Sequence, residues 1–364
     1  MDARLWAMVL AFAVCVPASA QTDRAPAGKS GRVSVPKRGP QIGDPAPLLS
    51  PKAWFGGDAI TEFRRGHVYV VMFWWGRFGP GYLQEVVNPL QEAYRGREIT
   101  FVGVGAVEDY RGTDKGVLKA AQKFGPSMGF RIAADTENVT AGAYGVRKGV
   151  GDSVFIVDGT GSIAFRGDYR WMEKALAGIL NGGWDANAGG KQIKNDEQHL
   201  KRAEFPDREY PQVALKEFRA YETNYPITSR THGDLLLTAA VCARDTDAAC
   251  EAGEREFEKA VRDWDAQRLN RLAWSIVSPG QEGEWDPMDA RLLDLALRMA
   301  EKACELSCEN DSYKLDTLAR VHYLRNNLNK AIEIQTRAAY GCCPQKEFRE
   351  RLTAYLDEVS RRPD

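Results

Sequence analysis

The apolar pattern changes period once along the chain, and that change divides it. Val68-Tyr-Val-Val-Met-Phe-Trp74 is a continuous apolar, β-rich run, as expected of a central strand buried on both faces. Gly79-Pro80-Gly81 interrupts it, and Tyr82 to Tyr94 carries Leu83, Val86, Val87, Leu90 and Tyr94 at helical spacing. Ile99 to Val104 predicts a second buried strand, Lys115 to Phe124 a helix, and Ser153 to Val157 a third strand. Asp158-Gly159-Thr160-Gly161 is a hairpin turn into Ser162 to Arg166, and Trp171 to Leu180 closes the segment as a helix. Strand, helix, strand, helix, hairpin and helix describe an α/β domain with a mixed central sheet flanked by helices.

Beyond this point strand patterns stop. Gly182 to Lys194 holds Gly, Asn and Asp residues without an apolar stripe, so 186–207 reads as a linker between a domain at 41–185 and an all-α region at 208–361. Helical patterns follow at Tyr210–Tyr225, Asp234–Arg244, Asp247–Trp264, Ala266–Val277, Asp289–Leu306, Tyr313–Leu324, Leu328–Tyr340 and Lys346–Arg361. Two stretches parallel each other: Leu269-Asn270 with Ala273-Trp274, and Leu315-Asp316 with Ala319-Arg320. Each precedes a helix with a small-residue stripe, Ala296/Ala300/Ala303 and Ala331/Ala338/Ala339, which lets helices approach closely. Repeating helical pairs of this kind point to a solenoid, with a generic helical bundle as the plainer alternative.

The chain's start reads as targeting rather than fold. One basic residue, Arg4, precedes the apolar run Leu5 to Val16, and Pro17-Ala18-Ser19-Ala20 offers small residues for cleavage. This is the pattern of a secretory signal peptide over 1–20, with an uncleaved anchor as the alternative. Residues 21–40, rich in Ala, Gly, Ser, Pro and Arg, are expected to be a flexible leader. The implied location is the periplasm or the exterior of a bacterial cell, with no membrane span after cleavage. In 364 residues the formal net charge is −1, so nothing global suggests a nucleic-acid partner. No HExxH, CxxCH, GxSxG or phosphate-loop pattern occurs, and neither a metal site nor a cofactor is expected.

Phe73-Trp74-Trp75-Gly76-Arg77-Phe78-Gly79-Pro80-Gly81-Tyr82 resembles the active-site segment of the TlpA-like thioredoxin family, within the redoxin (AhpC/TSA) superfamily. Ile42-Gly43-Asp44-Pro45-Ala46-Pro47 resembles the family's entry motif, and Asp135 falls where it often has an Asp. Phe155 to Ile163 resembles its late strand and turn, and Gly182-Gly183-Trp184-Asp185 its closing segment. The resemblance covers about 40–185 and implies a thioredoxin-like domain; residues 266–341 are similar to tetratricopeptide repeats.

The departures from that family bear on function. Its two cysteines align with Phe78 and Gly81, around a retained Gly79-Pro80, and its cis-proline aligns with Asp152. Disulfide exchange needs a thiolate, and neither Phe nor Gly supplies one. No cysteine stands between residues 16 and 241. Asp152 reads either as a solvated loop carboxylate or as a new acidic ligand. Trp74 and Trp75 read as one core and one rim residue, or as an aromatic platform.

The remaining cysteines, Cys242, Cys250, Cys304, Cys308, Cys342 and Cys343, all lie in the helical half. Their even number in an exported chain predicts disulfides, Cys242 with Cys250 and at least one bridge between the 304/308 and 342/343 pairs. A zinc site or a relocated redox centre is the sharper alternative. Two functions follow: a redox-inactive module that binds a protein or peptide through its repeats, or a thiol-disulfide oxidoreductase acting through the C-terminal cysteines.

Overall fold

A computed structural model describes residues 39–75, 81–107, 115–146, 153–204, 211–278, 288–307, 311–343 and 345–361. The expected signal peptide, almost all of the leader, and Phe78, Gly79, Pro80, Asp152 and Cys308 lie outside the described residues.

The N-terminal half is a mixed six-stranded sheet with helices. Its elements are β1 (Ala53–Phe55), β2 (Val68–Trp75), α1 (Gly81–Ala93), β3 (Ile99–Ala106), α2 (Lys115–Phe124), β4 (Arg131–Asp135), α3 (Val139–Ala143), β5 (Val154–Val157), β6 (Ile163–Gly167) and α4 (Met172–Leu180). The strand order is β1-β4-β3-β2-β5-β6. β2, β3 and β4 are parallel, while β1, β5 and β6 run antiparallel to their neighbours. The apolar runs place β2, β3, β5 and β6. Patterning misses β1, which is three residues long, and β4, which has two alanines of low β preference.

Alternation along β2 feeds two cores. Val68, Val70, Met72 and Trp74 enter one, and Tyr69, Val71 and Phe73 enter the other with Tyr144 and Phe155. Trp74 is fully buried opposite Gly105 of β3. A Cβ on Gly105 would lie 2.3 Å from the Trp74 ring, so only glycine leaves room for the indole there. Gly105→Ala is expected to cost about 1–3 kcal/mol through overpacking, read as a lower urea midpoint at unchanged m-value.

The C-terminal half is mostly helical: α5 (Ala186–Glu204), α6 (Pro211–Asn224), α7 (Gly233–Cys242), α8 (Thr246–Arg262), α9 (Ala266–Val277), α10 (Ala290–Glu305), α11 (Ser312–Leu324), α12 (Leu328–Tyr340) and α13 (Lys346–Arg361). The stretch expected to be a linker at 186–207 is corrected over 186–204, where it forms α5. Asp185 caps it, its Oδ1 accepting from the backbone N–H of Asn187 and Ala188 at 2.8 Å each. Gly189 weakens the helical pattern, yet the Trp184 ring lies where its Cβ would sit, and Trp184 Nε1 donates to the Ala164 carbonyl at 2.9 Å. The stripe that buries α5 is Ile193, Asp196, Leu200 and Ala203, with a carboxylate in it.

Three helix turns share one device. Arg244, Trp264 and Asn326 adopt φ of 58°, 55° and 58°, and each is followed by an Asx N-cap, Asp245, Asp265 or Asn327. The caps accept from the N–H of Ala248, Arg268 and Lys330. Leu269, Ala273, Leu315 and Ala319 of the two similar stretches are buried, as are the alanines of the small-residue stripes.

Sheet and helices belong to one compact unit. The core containing Trp74 continues through Trp171, Met172, Tyr221 and Tyr225 to Ala303 and Val321. Buried and half-buried polar contacts join the halves. The Glu173 carboxylate of α4 accepts from Ile227 N–H, Thr228 N–H and the Thr228 hydroxyl. Lys174 pairs with Asp196 at 3.1 Å, Arg170 with Glu204 at 3.1 Å, and Lys259 of α8 with Glu85 of α1.

His232 lies at the same junction, stacked on Tyr169 and edge-on to Tyr221. Burial holds its pKa below the ordinary 6.5, with Arg170 adding to the depression and Asp168 and Asp234 opposing it. The unfolded chain therefore binds more protons between the two values, so this contribution to stability is complete above about 6.5 and is lost as pH falls through the folded value. His232→Gln is expected to flatten the stability loss on acidification from pH 6.5, measured by urea unfolding across that range.

Candidate functional site

Two places carry chemistry. The first is the strand-to-helix step from β2 to α1. β2 delivers Trp75 half-buried at its end, and α1 opens at Gly81. Trp74 points into the core, and its Nε1 has no hydrogen-bond partner among the described residues. No cysteine stands near the start of α1 in the sequence. Asp135 is buried, and its two oxygens accept from Val139 N–H at 2.9 Å and Ala141 N–H at 2.7 Å. Burial raises its pKa despite these bonds. Its visible work is to cap α3, beside Asn138, whose side chain pairs with the backbone of Val107.

The cysteines are spread over the helices. Cys242 ends α7, Cys250 lies in the first turns of α8, Cys304 is near the end of α10, and Cys342 and Cys343 are exposed on the bend after α12. Cys242, Cys250 and Cys304 are partly buried thiols, and burial raises the pKa of each, that of Cys304 to about 11. At neutral pH such thiols stay protonated and are poor nucleophiles. Among the described residues no group of three or more His, Cys, Asp or Glu side chains is placed to hold a metal ion.

The second place is an open groove of about 700 Å³ lined by α7, α9, α11 and α13. Its apolar surface comes from Trp274, Tyr313 and Phe348, the last two meeting edge-to-face at 5.4 Å. Arg351 of α13 lies over the Trp274 ring at 5.3 Å and forms an ion pair with buried Asp316 of α11. The other Asp316 oxygen accepts from Gln335 Nε2 at 2.7 Å, and the same Nε2 donates to the Phe348 carbonyl at 3.0 Å. One carboxylate thus sets the spacing of α11, α12 and α13. At the corresponding position of the earlier stretch stands Asn270, also buried on the groove wall, with an Oδ1 that has no partner among the described residues.

Sequence reasoning paired Asn270 with Asp316 but did not assign them to a groove. Trp274, Tyr313, Phe348 and Arg351 were not singled out as a site, because only packing brings four helices together around them. The visible signal was the repeat itself, which puts equivalent residues on one face.

The fold is an α/β domain with a mixed sheet, continued by a helical region. The chain is 27% identical over 198 residues to the protein FixW of Rhizobium leguminosarum, an alignment covering 49% of this chain and 86% of FixW. That likeness supports a redoxin-like protein with a thioredoxin-like fold in its α/β part. No protein-family profile matches the chain.

Proposed function

We propose that this is an exported, redoxin-like protein whose α/β domain lacks the two-cysteine motif and no longer performs thiol chemistry, and whose helical region, built from tetratricopeptide-like repeats, holds a segment of a partner protein. The observation that carries the reading is the groove: about 700 Å³, walled by four helices, with three aromatic side chains facing it. Open apolar clefts with a few fixed polar groups are what ligand sites require. The sheet domain shares a core with the helices, which suits it to act as a rigid support. The raised pKa of the partly buried Cys304 thiol weighs against an oxidoreductase acting through that residue.

The test places a photo-crosslinking amino acid at Ser275, on the groove wall, in the full-length protein in its own cells. Adducts are expected to map to one partner segment and to disappear when Ser278→Trp, at a half-buried position of the lining, fills the groove. They are also expected to persist when every cysteine not needed for folding is replaced. Insulin reduction by the purified protein is expected to be absent. Turnover that depends on Cys342 or Cys343, without groove adducts, would reverse the assignment in favour of the oxidoreductase. N-terminal sequencing of the protein from cells is expected to begin at Gln21.

A further inference from the structure

The charges on the groove walls specify the ligand more closely; this inference rests on the reading of the groove as a binding site. Arg271 of α9 and Glu347 of α13 are exposed residues of the groove lining, carried by two different helices. Neither forms a hydrogen bond or ion pair with the described residues. This sets them apart from Asp316 and Arg351 of the same lining, which form an ion pair. Surface charges near the other helices commonly find a partner, as Arg291 does with Asp247 and Arg298 with Glu254. The groove lining therefore holds a cation on α9 and an anion on α13 without ion-pair partners among the described residues, together with the rings of Trp274, Tyr313 and Phe348.

A polyanion such as nucleic acid would meet Glu347 as well as Arg271, and a purely apolar ligand would leave both charges unused. Helices packed side by side lie about 8–10 Å apart, so a groove crossing four of them accommodates roughly seven to nine residues of extended chain. The unpartnered Asn270 Oδ1 adds an acceptor on the wall next to Arg271, suited to a peptide N–H once the side chain turns toward a donor.

We propose that the groove takes an extended peptide segment with one large apolar side chain on the Trp274–Tyr313–Phe348 floor, an acidic residue toward Arg271 and a basic residue toward Glu347. The opposed charges give the segment a direction as well as a composition.

The test is selection of a random heptapeptide display library on the full-length protein, followed by anisotropy titration with fluorescein-labelled synthetic copies of the enriched sequences. The expected consensus is a large apolar residue with acid on one side and base on the other. R271E is expected to weaken the best such peptide about tenfold, equivalent to about 1.4 kcal/mol. The double variant R271E/E347R is expected to select the reverse order of charges. Both positions are exposed, so folding is retained, and thermal melts verify this. A consensus that requires the groove, being lost in Ser278→Trp, yet has no charge order or is unmoved by R271E overturns this inference and leaves the groove reading standing. Absence of any groove-dependent peptide overturns both.

Discussion

Glu173→Ala is expected to lower stability by about 3–5 kcal/mol, among the largest effects of any single change at the junction between the two halves. The carboxylate of α4 is buried and accepts from two backbone N–H groups and one hydroxyl at residues 227 and 228. Removing it leaves those donors buried without acceptors, each costing about 1–3 kcal/mol before relaxation. Glu173→Gln keeps one acceptor oxygen and is expected to fall between the wild type and the alanine variant. Urea unfolding followed by tryptophan fluorescence and by far-ultraviolet circular dichroism tests this. Coincident curves at a lower midpoint are expected, because the halves share one core. A midpoint unchanged in Glu173→Ala would mean that the contact does not hold the halves together.

Asp316→Ala is the second large effect. It removes a buried carboxylate partner of Arg351, whose side chain is only 13% exposed, and breaks the link through Gln335 to Phe348. Breaking a buried pair from one side costs about 3–5 kcal/mol. The double replacement Asp316→Leu with Arg351→Met is expected to recover most of that loss, since an apolar pair of similar volume carries no desolvation penalty. The double variant nevertheless loses the guanidinium over Trp274, and with it the shape of the groove floor. Stability and peptide binding are thus expected to separate: near-wild-type unfolding with weakened binding. Equal losses in Asp316→Ala and the double variant would show that the pair matters for packing rather than charge.

These two sites show where sequence reading ends. Asp316 is visible as one of two equivalent repeat positions, but a carboxylate at helical spacing reads the same whether it faces water or an arginine 35 residues away. Glu173 likewise sits in the first turn of α4, where an acid is favoured by the helix dipole alone. Its role as a cap for residues 227 and 228 depends on contacts 54 and 55 positions distant. Residues 186–204 failed for the opposite reason: Gly189 and Gly190 lower helix propensity, and the packing of Trp184 overrides it.

The sequence by itself determined the change from period two to helical period, the strand runs of β2, β3, β5 and β6, and the absence of cysteine between residues 16 and 241, because these are properties of neighbouring residues. It also showed the paired stretches around Asn270 and Asp316. Tertiary structure alone decided that β1 and β4 extend the sheet, that one core runs from Trp74 into the helices, and that Trp274, Tyr313, Phe348 and Arg351 enclose a groove. The physical reason is separation along the chain. Burial, ion pairing and groove shape depend on which distant surfaces meet, and local periodicity specifies only which face of each element is ready to meet one.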